Sequence, residues 1–178
     1  MPEPARPIRV MVVDDDAMVC ATLASYVTRA PGMDLVGTCR NGGQAVELLT
    51  RSRVDVVLMD VRMDVMDGIT ATRTLRKLGV PVKIIVLTTF DDDRNMLAAL
   101  NAGANGFMLK DSRPEAIVEA INLAYSGGNV ISAQPAARLV ERYLPTENHS
   151  ELPLEGAHGL SVRELAVLQE LCRAASNA

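Results

Sequence analysis

The sequence predicts an α/β domain, a doubly wound five-stranded parallel sheet followed by a C-terminal helical extension, and three observations lead there. Short, nearly continuous apolar runs such as Ile8 to Val13 and Val54 to Met59 read as strands covered on both faces. Segments of helical period alternate with these runs over roughly residues 7 to 127, giving five βα units. Four of the runs end in reactive side chains: Asp14 and Asp15, Asp60, Thr88, and Lys110. Right-handed crossovers place helices on both faces of such a sheet, and ligands of open parallel sheets sit at the carboxyl edge of the strands.

Taken in order, the first strand is Ile8 to Val13. The first helix, Ala17 to Ala30, carries Val19, Leu23, Tyr26 and Val27 at helical spacing and stops at Pro31-Gly32. Asp16 stands where its carboxylate caps that helix. Leu35 to Cys39 is a weaker second strand. Gly43 to Arg51 forms a helix whose inward side is Ala45, Val46, Leu48 and Leu49. The third strand, Val54 to Met59, leads into Asp60. Gly68 to Leu78 is the next helix, ended by Gly79 and Pro81, and Val82 to Leu87 the fourth strand. The fourth helix spans Asp91 to Ala102; Asp91, Asp92 and Asp93 complement the positive end of its dipole, and Gly103 closes it in a left-handed conformation. Gly106 to Leu109 is the fifth strand and Pro114 to Tyr125 the fifth helix, with proline in its first turn.

Beyond Gly127-Gly128 the pattern changes. Residues 128–159 read as a linker with one short helix, Pro135 to Leu144, and a Pro- and Gly-punctuated stretch from Pro145 to Gly159. Leu160 to Ala175 is amphipathic through Leu160, Leu165, Leu168 and Leu171, with Ser161 to Glu164 as a capping box. A single helix cannot bury its own apolar stripe, so this segment requires partners.

Composition narrows the function. No apolar stretch approaches the ~20 residues that span a bilayer, and Met1-Pro2-Glu3-Pro4 lacks a basic-then-apolar leader, so a cytoplasmic location with no membrane role is expected. Cys20, Cys39 and Cys172 are odd in number and widely spaced, which suits isolated thiols rather than a disulfide framework or metal cluster. A net charge of −4 argues against the chain wrapping nucleic acid by itself. At the strand ends, by contrast, two acids, a further carboxylate, a hydroxyl and an ammonium converge if the strands are parallel neighbours, which suits a metal and a phosphoryl group. Each residue alone has an ordinary reading: Thr88 as a strand threonine, Lys110 as a surface lysine, Asp60 as a loop acid. Their joint placement is what carries chemistry.

Several spaced motifs then carry a family resemblance: Val12-Val13-Asp14-Asp15, Leu58-Met59-Asp60, Met66-Asp67-Gly68, Leu87-Thr88-Thr89-Phe90, and Ala102 through Asp111 with Lys110. Residues 8 to 127 resemble the receiver domain of two-component response regulators, and the tail from Leu160 resembles the opening of a NarL/LuxR-type helix-turn-helix domain. The resemblance implies the flavodoxin-like (CheY-like) strand order 2-1-3-4-5. It also implies that Asp60 accepts a phosphoryl group from the phosphohistidine of a sensor histidine kinase. Mg²⁺ is the expected cofactor, held by Asp15, Asp60 and the main-chain carbonyl of Arg62, with Asp14 acting through water. Lys110 and Thr88 are expected to contact phosphoryl oxygens, and Thr88 with Phe107 to form the switch that biases the surface of helix 4, strand 5 and helix 5. Homodimerisation through that surface is implied, with Ile117, Val118, Ile121 and Tyr125 as a candidate apolar patch. The chain is thus expected to be no enzyme beyond slow autophosphatase activity.

Departures from the family pattern are local. Met63-Asp64-Val65-Met66-Asp67-Gly68 lacks the usual proline after the phosphoacceptor, which predicts a looser loop and, through Asp64, an altered ion affinity. Asp111 follows Lys110 where many receivers have proline. Arg62 and Phe90 sit where bulk shields the phosphoryl group from water, predicting a longer phosphorylated lifetime. The sequence ends at Ala178, before a recognition helix, so DNA binding is expected only through a complete output domain. Two other readings are a receiver-like interaction module that never takes phosphate, and an aspartate-nucleophile phosphohydrolase of the haloacid-dehalogenase type. The latter family carries its nucleophile after the first strand in a DxDx[TV] motif, which Asp60-Val61-Arg62 does not match.

Overall fold

A computed structural model of the chain describes residues 6–89 and 93–131. The elements are β1 (Ile8–Val13), α1 (Ala17–Arg29), β2 (Met33–Cys39), α2 (Gly42–Arg51), β3 (Val56–Asp60), α3 (Gly68–Lys77), β4 (Lys83–Thr88), α4 (Asp93–Asn101), β5 (Gly106–Leu109), α5 (Pro114–Tyr125) and β6 (Val130–Ile131). All strands pair in parallel, in the order β2-β1-β3-β4-β5-β6. The five expected strands and their order are therefore present. The sixth, two residues long, was not anticipated and falls inside the stretch read as linker. The chain divides into two units, Met1–Ser132 and Ala133–Ala178; the second, including the expected helices from Pro135 and Leu160, lies outside the described residues.

The sheet is covered on both faces because alternate residues of each strand point opposite ways. Val10 and Val12, Val56 and Leu58, Ile85 and Leu87 pack with Cys20, Leu23 and Val27 of α1 and with Ile117, Ala120, Ile121 and Ala124 of α5. Met11, Met59, Ile84 and Val86 point the other way, toward α2, α3 and α4, and are as fully enclosed. Ile117 and Ile121 are thus core residues at 0% exposure, which corrects their place in the candidate dimer patch. The helix is apolar on more than one side, and its period alone does not say which side meets the sheet.

Several boundaries follow the chemistry of the ends. The Asp16 carboxylate accepts from the N–H groups of Met18 and Val19, which holds its pKa below the ordinary carboxylate value. Asn41 and Asp67 cap α2 and α3 in the same way. Gly103 has φ +97°, the left-handed closure expected after α4. Asp60 and Thr88 are the last residues of their strands rather than the first beyond them, a one-residue shift that leaves both at the carboxyl edge.

At the opposite edge of the sheet, Asp55, expected inside the third strand, precedes it. Its carboxylate takes two bonds of 2.9 Å from the Arg6 guanidinium and one of 2.9 Å from the Arg9 N–H. Burial pushes the Asp55 pKa up, but those donors outweigh it and leave it below the ordinary 3.8. A lowered folded pKa contributes stability that is complete above the unfolded value and is lost as pH falls through the folded one. We expect Asp55→Ala to cost about 1 kcal/mol at neutral pH, a figure reduced for the half-exposed arginine. Urea midpoints of the two proteins should converge as pH drops below about 4; a constant gap would contradict this.

A second polar tie joins α3 to the loops around β4 and β5. Arg76 donates to the carbonyls of Gly103 and Val82 and to Asn105 Oδ1, each at 2.8 Å, and Asn105 Oδ1 also accepts from the Ile84 N–H. Burial lowers the Arg76 pKa. Cys20 and Cys39 are buried on opposite faces of the sheet, Cys39 Sγ lying 3.9 Å from Met11 Sδ, so the two cannot pair; burial pushes the Cys39 thiol up to about 11.

Candidate functional site

The carboxyl edge of the sheet gathers residues from β1, β3, β4 and β5. Asp14 follows β1 directly, kept in register because its N–H donates to the Cys39 carbonyl at 3.1 Å. Its side chain is fully buried; Oδ1 accepts from the Asp16 N–H at 3.0 Å, and Oδ2 lies 2.8 Å from Lys110 Nζ. That second contact is a buried ion pair. Asp60, 3% exposed, places its Oδ2 2.9 Å from the same ammonium. Asp15 is exposed beside them. One oxygen from each of the three carboxylates falls within 4.8 Å of the others.

Electrostatics explain why one lysine serves two acids. Burial raises the Asp60 pKa, with Asp14 adding to the effect, while Lys110 and the Arg62 N–H pull it back. Burial alone would depress Lys110, but hydrogen bonds and charge from Asp14 and Asp60 leave its pKa raised. Among the described residues, three acids that gather round one lysine ammonium are short of positive charge. The donor set is all oxygen, drawn from three carboxylates that lie within 4.8 Å of one another, and it therefore fits a hard divalent ion such as Mg²⁺.

Lys110 is fixed through its backbone, whose N–H donates to the Thr88 carbonyl at 2.8 Å. Thr88 is 4% exposed and its hydroxyl donates to the Thr89 carbonyl. Val86 is in register with Phe107 and Thr88 with Leu109, so Thr88 and Phe107 share one face of the sheet. Phe107 is 2% exposed, already buried. The expected site residues Asp14, Asp15, Asp60 and Lys110 thus meet, Thr88 borders them, and Phe107 lies one strand away on the Thr88 face. Arg62 is exposed, and its N–H is directed at Asp60. Phe90 lies outside the described residues.

Arg40, in the loop after β2, was not picked out from sequence. Its guanidinium donates to the Asp15 carbonyl. A main-chain acceptor from a distant loop leaves no pattern by which a single arginine could be recognised. An open cavity of about 480 Å³ adjoins Asp15, bordered by Arg62, Asp64, Asp67, Thr70 and Asn95.

Two backbone hydrogen bonds hold the loop after Asp60. The Met66 N–H bonds to the Asp64 carbonyl at 2.8 Å across Val65, whose φ is +70°, and the Gly42 N–H bonds to the Met66 carbonyl at 2.9 Å. Such a γ-turn is strained for a β-branched residue, at a cost of about 1–3 kcal/mol. Val65 is 93% exposed and gains nothing from packing. Val65→Gly should therefore raise the unfolding free energy by about 1 kcal/mol, read from urea denaturation; a loss would refute the strain.

The comparisons agree with this geometry. Residues 10–122 match the response regulator receiver domain family. The nitrate/nitrite response regulator protein NarP of Escherichia coli is 36% identical over 99% of this chain and 80% of its own length. The transcriptional regulatory protein LiaR of Bacillus subtilis is 37% identical over 90% of the chain and 74% of its own length. Among solved structures, a LuxR-family two-component response regulator from Aurantimonas matches with a TM-score of 0.73 and 30% identity, over 77% of this chain and 98% of that one. The chain belongs to the response regulators, with a CheY-like receiver domain of the NarL/LuxR type.

Proposed function

We propose that Asp60 is the phosphoacceptor of a two-component pathway, taking a phosphoryl group from the phosphohistidine of a sensor histidine kinase. The observation that carries this reading is the bridging of two buried carboxylates by Lys110 at 2.8 and 2.9 Å, beside a third acid. An Asp60 carboxylate oxygen attacks phosphorus, the P–N bond of the donor breaks, its electron pair stays on the imidazole nitrogen, and that nitrogen takes up a proton. Lys110 moves from the carboxylates to a phosphoryl oxygen, and the Thr88 hydroxyl turns from the Thr89 carbonyl to another. Asp15, Asp60 and the Arg62 carbonyl would hold Mg²⁺, with Asp14 behind water. Mg²⁺ held there would supply positive charge that offsets the charge of the carboxylate and phosphoryl groups.

The output is a population shift in the surface of α4, β5 and α5, driven by contacts that exist only with phosphate bound. Phe107 is already enclosed, so its part is a repacking against Thr88 rather than a swing in from solvent. Dimerisation on phosphorylation uses what remains of the apolar patch, half-buried Val118 and Tyr125 at 40% exposure. Transcription control follows through a complete helix-turn-helix domain, and the site of action is the cytoplasm. Among the described residues, no helix is long and apolar enough to cross a membrane.

Incubation with acetyl phosphate and Mg²⁺ followed by intact-mass measurement tests the reading. One adduct of about 80 Da, a single phosphoryl group, is expected. No adduct, or multiple turnover of a phosphate ester, overturns it. Lys110→Ala should slow adduct formation about 100-fold, as removal of one preorganised donor does. It should also lower stability by about 3 kcal/mol without Mg²⁺, because two buried acids lose their shared cation. Adding Mg²⁺ should recover more stability in the variant than in the parent, read as the rise in Tm; equal shifts would separate the ion from the acids.

A further inference from the structure

Strand β6 lies beyond residues 10–122, the stretch matched by the receiver family, and phosphoryl transfer leaves it without a role. Val130, 7% exposed, joins the core cluster beneath α5, and its N–H donates to the Asn105 carbonyl at 3.1 Å. Val130 and Ile131 pair with Gly106 and Phe107. Glycine permits this approach: a Cβ on residue 106 would stand 2.8 Å from Val130 Cβ and 3.0 Å from its carbonyl oxygen. The four residues of β5 are therefore held at two ends. Lys110, which follows Leu109, ties the upper end to Asp14 and Asp60, and β6 grips the lower end at Gly106 and the switch residue Phe107.

We infer that β6 is a releasable strap on the edge of β5, whose pairing is broken when Asp60 carries a phosphoryl group. This rests on the phosphoacceptor reading and adds to it a route by which the state of the site reaches the chain beyond residue 132. When Lys110 leaves Asp14 and Asp60 for a phosphoryl oxygen and Phe107 repacks against Thr88, the lower end of β5 moves against β6 while its ladder with β4 holds. β6 cannot follow, because the turn before it is pinned to α5 by the Gly128 N–H on the Leu123 carbonyl at 2.9 Å. A two-residue ladder is too short to survive loss of register. Binding linkage makes the coupling reciprocal: whatever frees β6 favours phosphate on Asp60 by the same factor.

Backbone amide exchange followed by NMR on the full chain, with and without acetyl phosphate and Mg²⁺, tests this. Val130 N–H exchange should rise at least about fivefold on phosphorylation, the low end of ordinary allosteric coupling, while Val10 and Leu58 stay protected. Gly106→Ala should release β6 without phosphate and raise the equilibrium fraction of adduct by a similar factor. Val130→Asp provides the same release by burying a charge, should the alanine variant fail to fold. An adduct with unchanged Val130 exchange overturns the strap and leaves the phosphoacceptor standing. No adduct on the parent chain overturns both.

Discussion

Asp60→Asn should abolish the phosphoryl adduct while leaving the metal-free fold at least as stable as the parent. An amide nitrogen or amide oxygen offers no carboxylate nucleophile, and neither Asp14 nor Asp15 can substitute. Asp14 is enclosed behind Lys110, and Asp15 stands exposed at the rim with its carbonyl held by Arg40. The stability half of the prediction follows from charge. Asp60 is carried at a cost, since burial and Asp14 both raise its pKa. A group raised in the folded state contributes stability below its unfolded pKa and loses it as pH rises through the folded value, so at neutral pH the carboxylate is a burden. Two carboxylates about 4 Å apart repel by roughly 4 kcal/mol at an effective dielectric near 20. The asparagine removes that repulsion and gives up one of the two ion pairs on Lys110, which keeps Asp14. A net gain of about 1 kcal/mol is expected from these opposing effects, measured by urea denaturation without Mg²⁺. A variant that still acquires 80 Da, roughly one phosphoryl group, would place the acceptor elsewhere.

What the sequence made legible follows from where its information lies. Asp14, Asp60, Thr88 and Lys110 were found because each stands at the end of an apolar run, and a parallel sheet brings such ends to one edge whatever their separation along the chain. Caps such as Asp16 were legible for a similar reason, since their acceptors and donors are neighbours in sequence. β6 was not, because two apolar residues after a Gly-Gly pair have no period, and only the open edge of β5 gives them a partner. Arg40 and Arg76 escaped notice because their acceptors are mostly main-chain carbonyls in distant loops, which every residue type possesses. Ile117 and Ile121 were misplaced because an amphipathic stripe reports an angle around the helix and not the neighbour that covers it. The turn at Val65 runs against local preference altogether, as a valine with positive φ is held there by the bonds of Asp64 and Met66.

Gly68→Ala should unfold the receiver or cost it more than about 4 kcal/mol, a loss at the extreme of single substitutions. The N-terminus of α3 returns to the strand it left: the Gly68 N–H donates to the Val61 carbonyl at 2.9 Å, and the Gly68 Cα faces the main chain of Asp60. A Cβ there would lie 1.9 Å from the Asp60 carbonyl oxygen and 2.9 Å from Met59 Cγ. The methionine can turn aside, but the carbonyl cannot. It belongs to the last residue of a strand paired on both sides, with Val61 bonded to Leu87 just beyond it. Relief therefore requires α3 to back away from β3, which would empty the space under Ala71 and Leu75, both at 0% exposure. The same movement would pull on the loop from Val61 to Asp67 that joins β3 to α3, and with it the Arg62 carbonyl proposed to hold Mg²⁺, so any Gly68→Ala protein that survives at low temperature should also form adduct at least about tenfold more slowly. Parent-like urea midpoint and adduct rate together would show that the close approach of helix to strand is not what holds the loop after Asp60 in place.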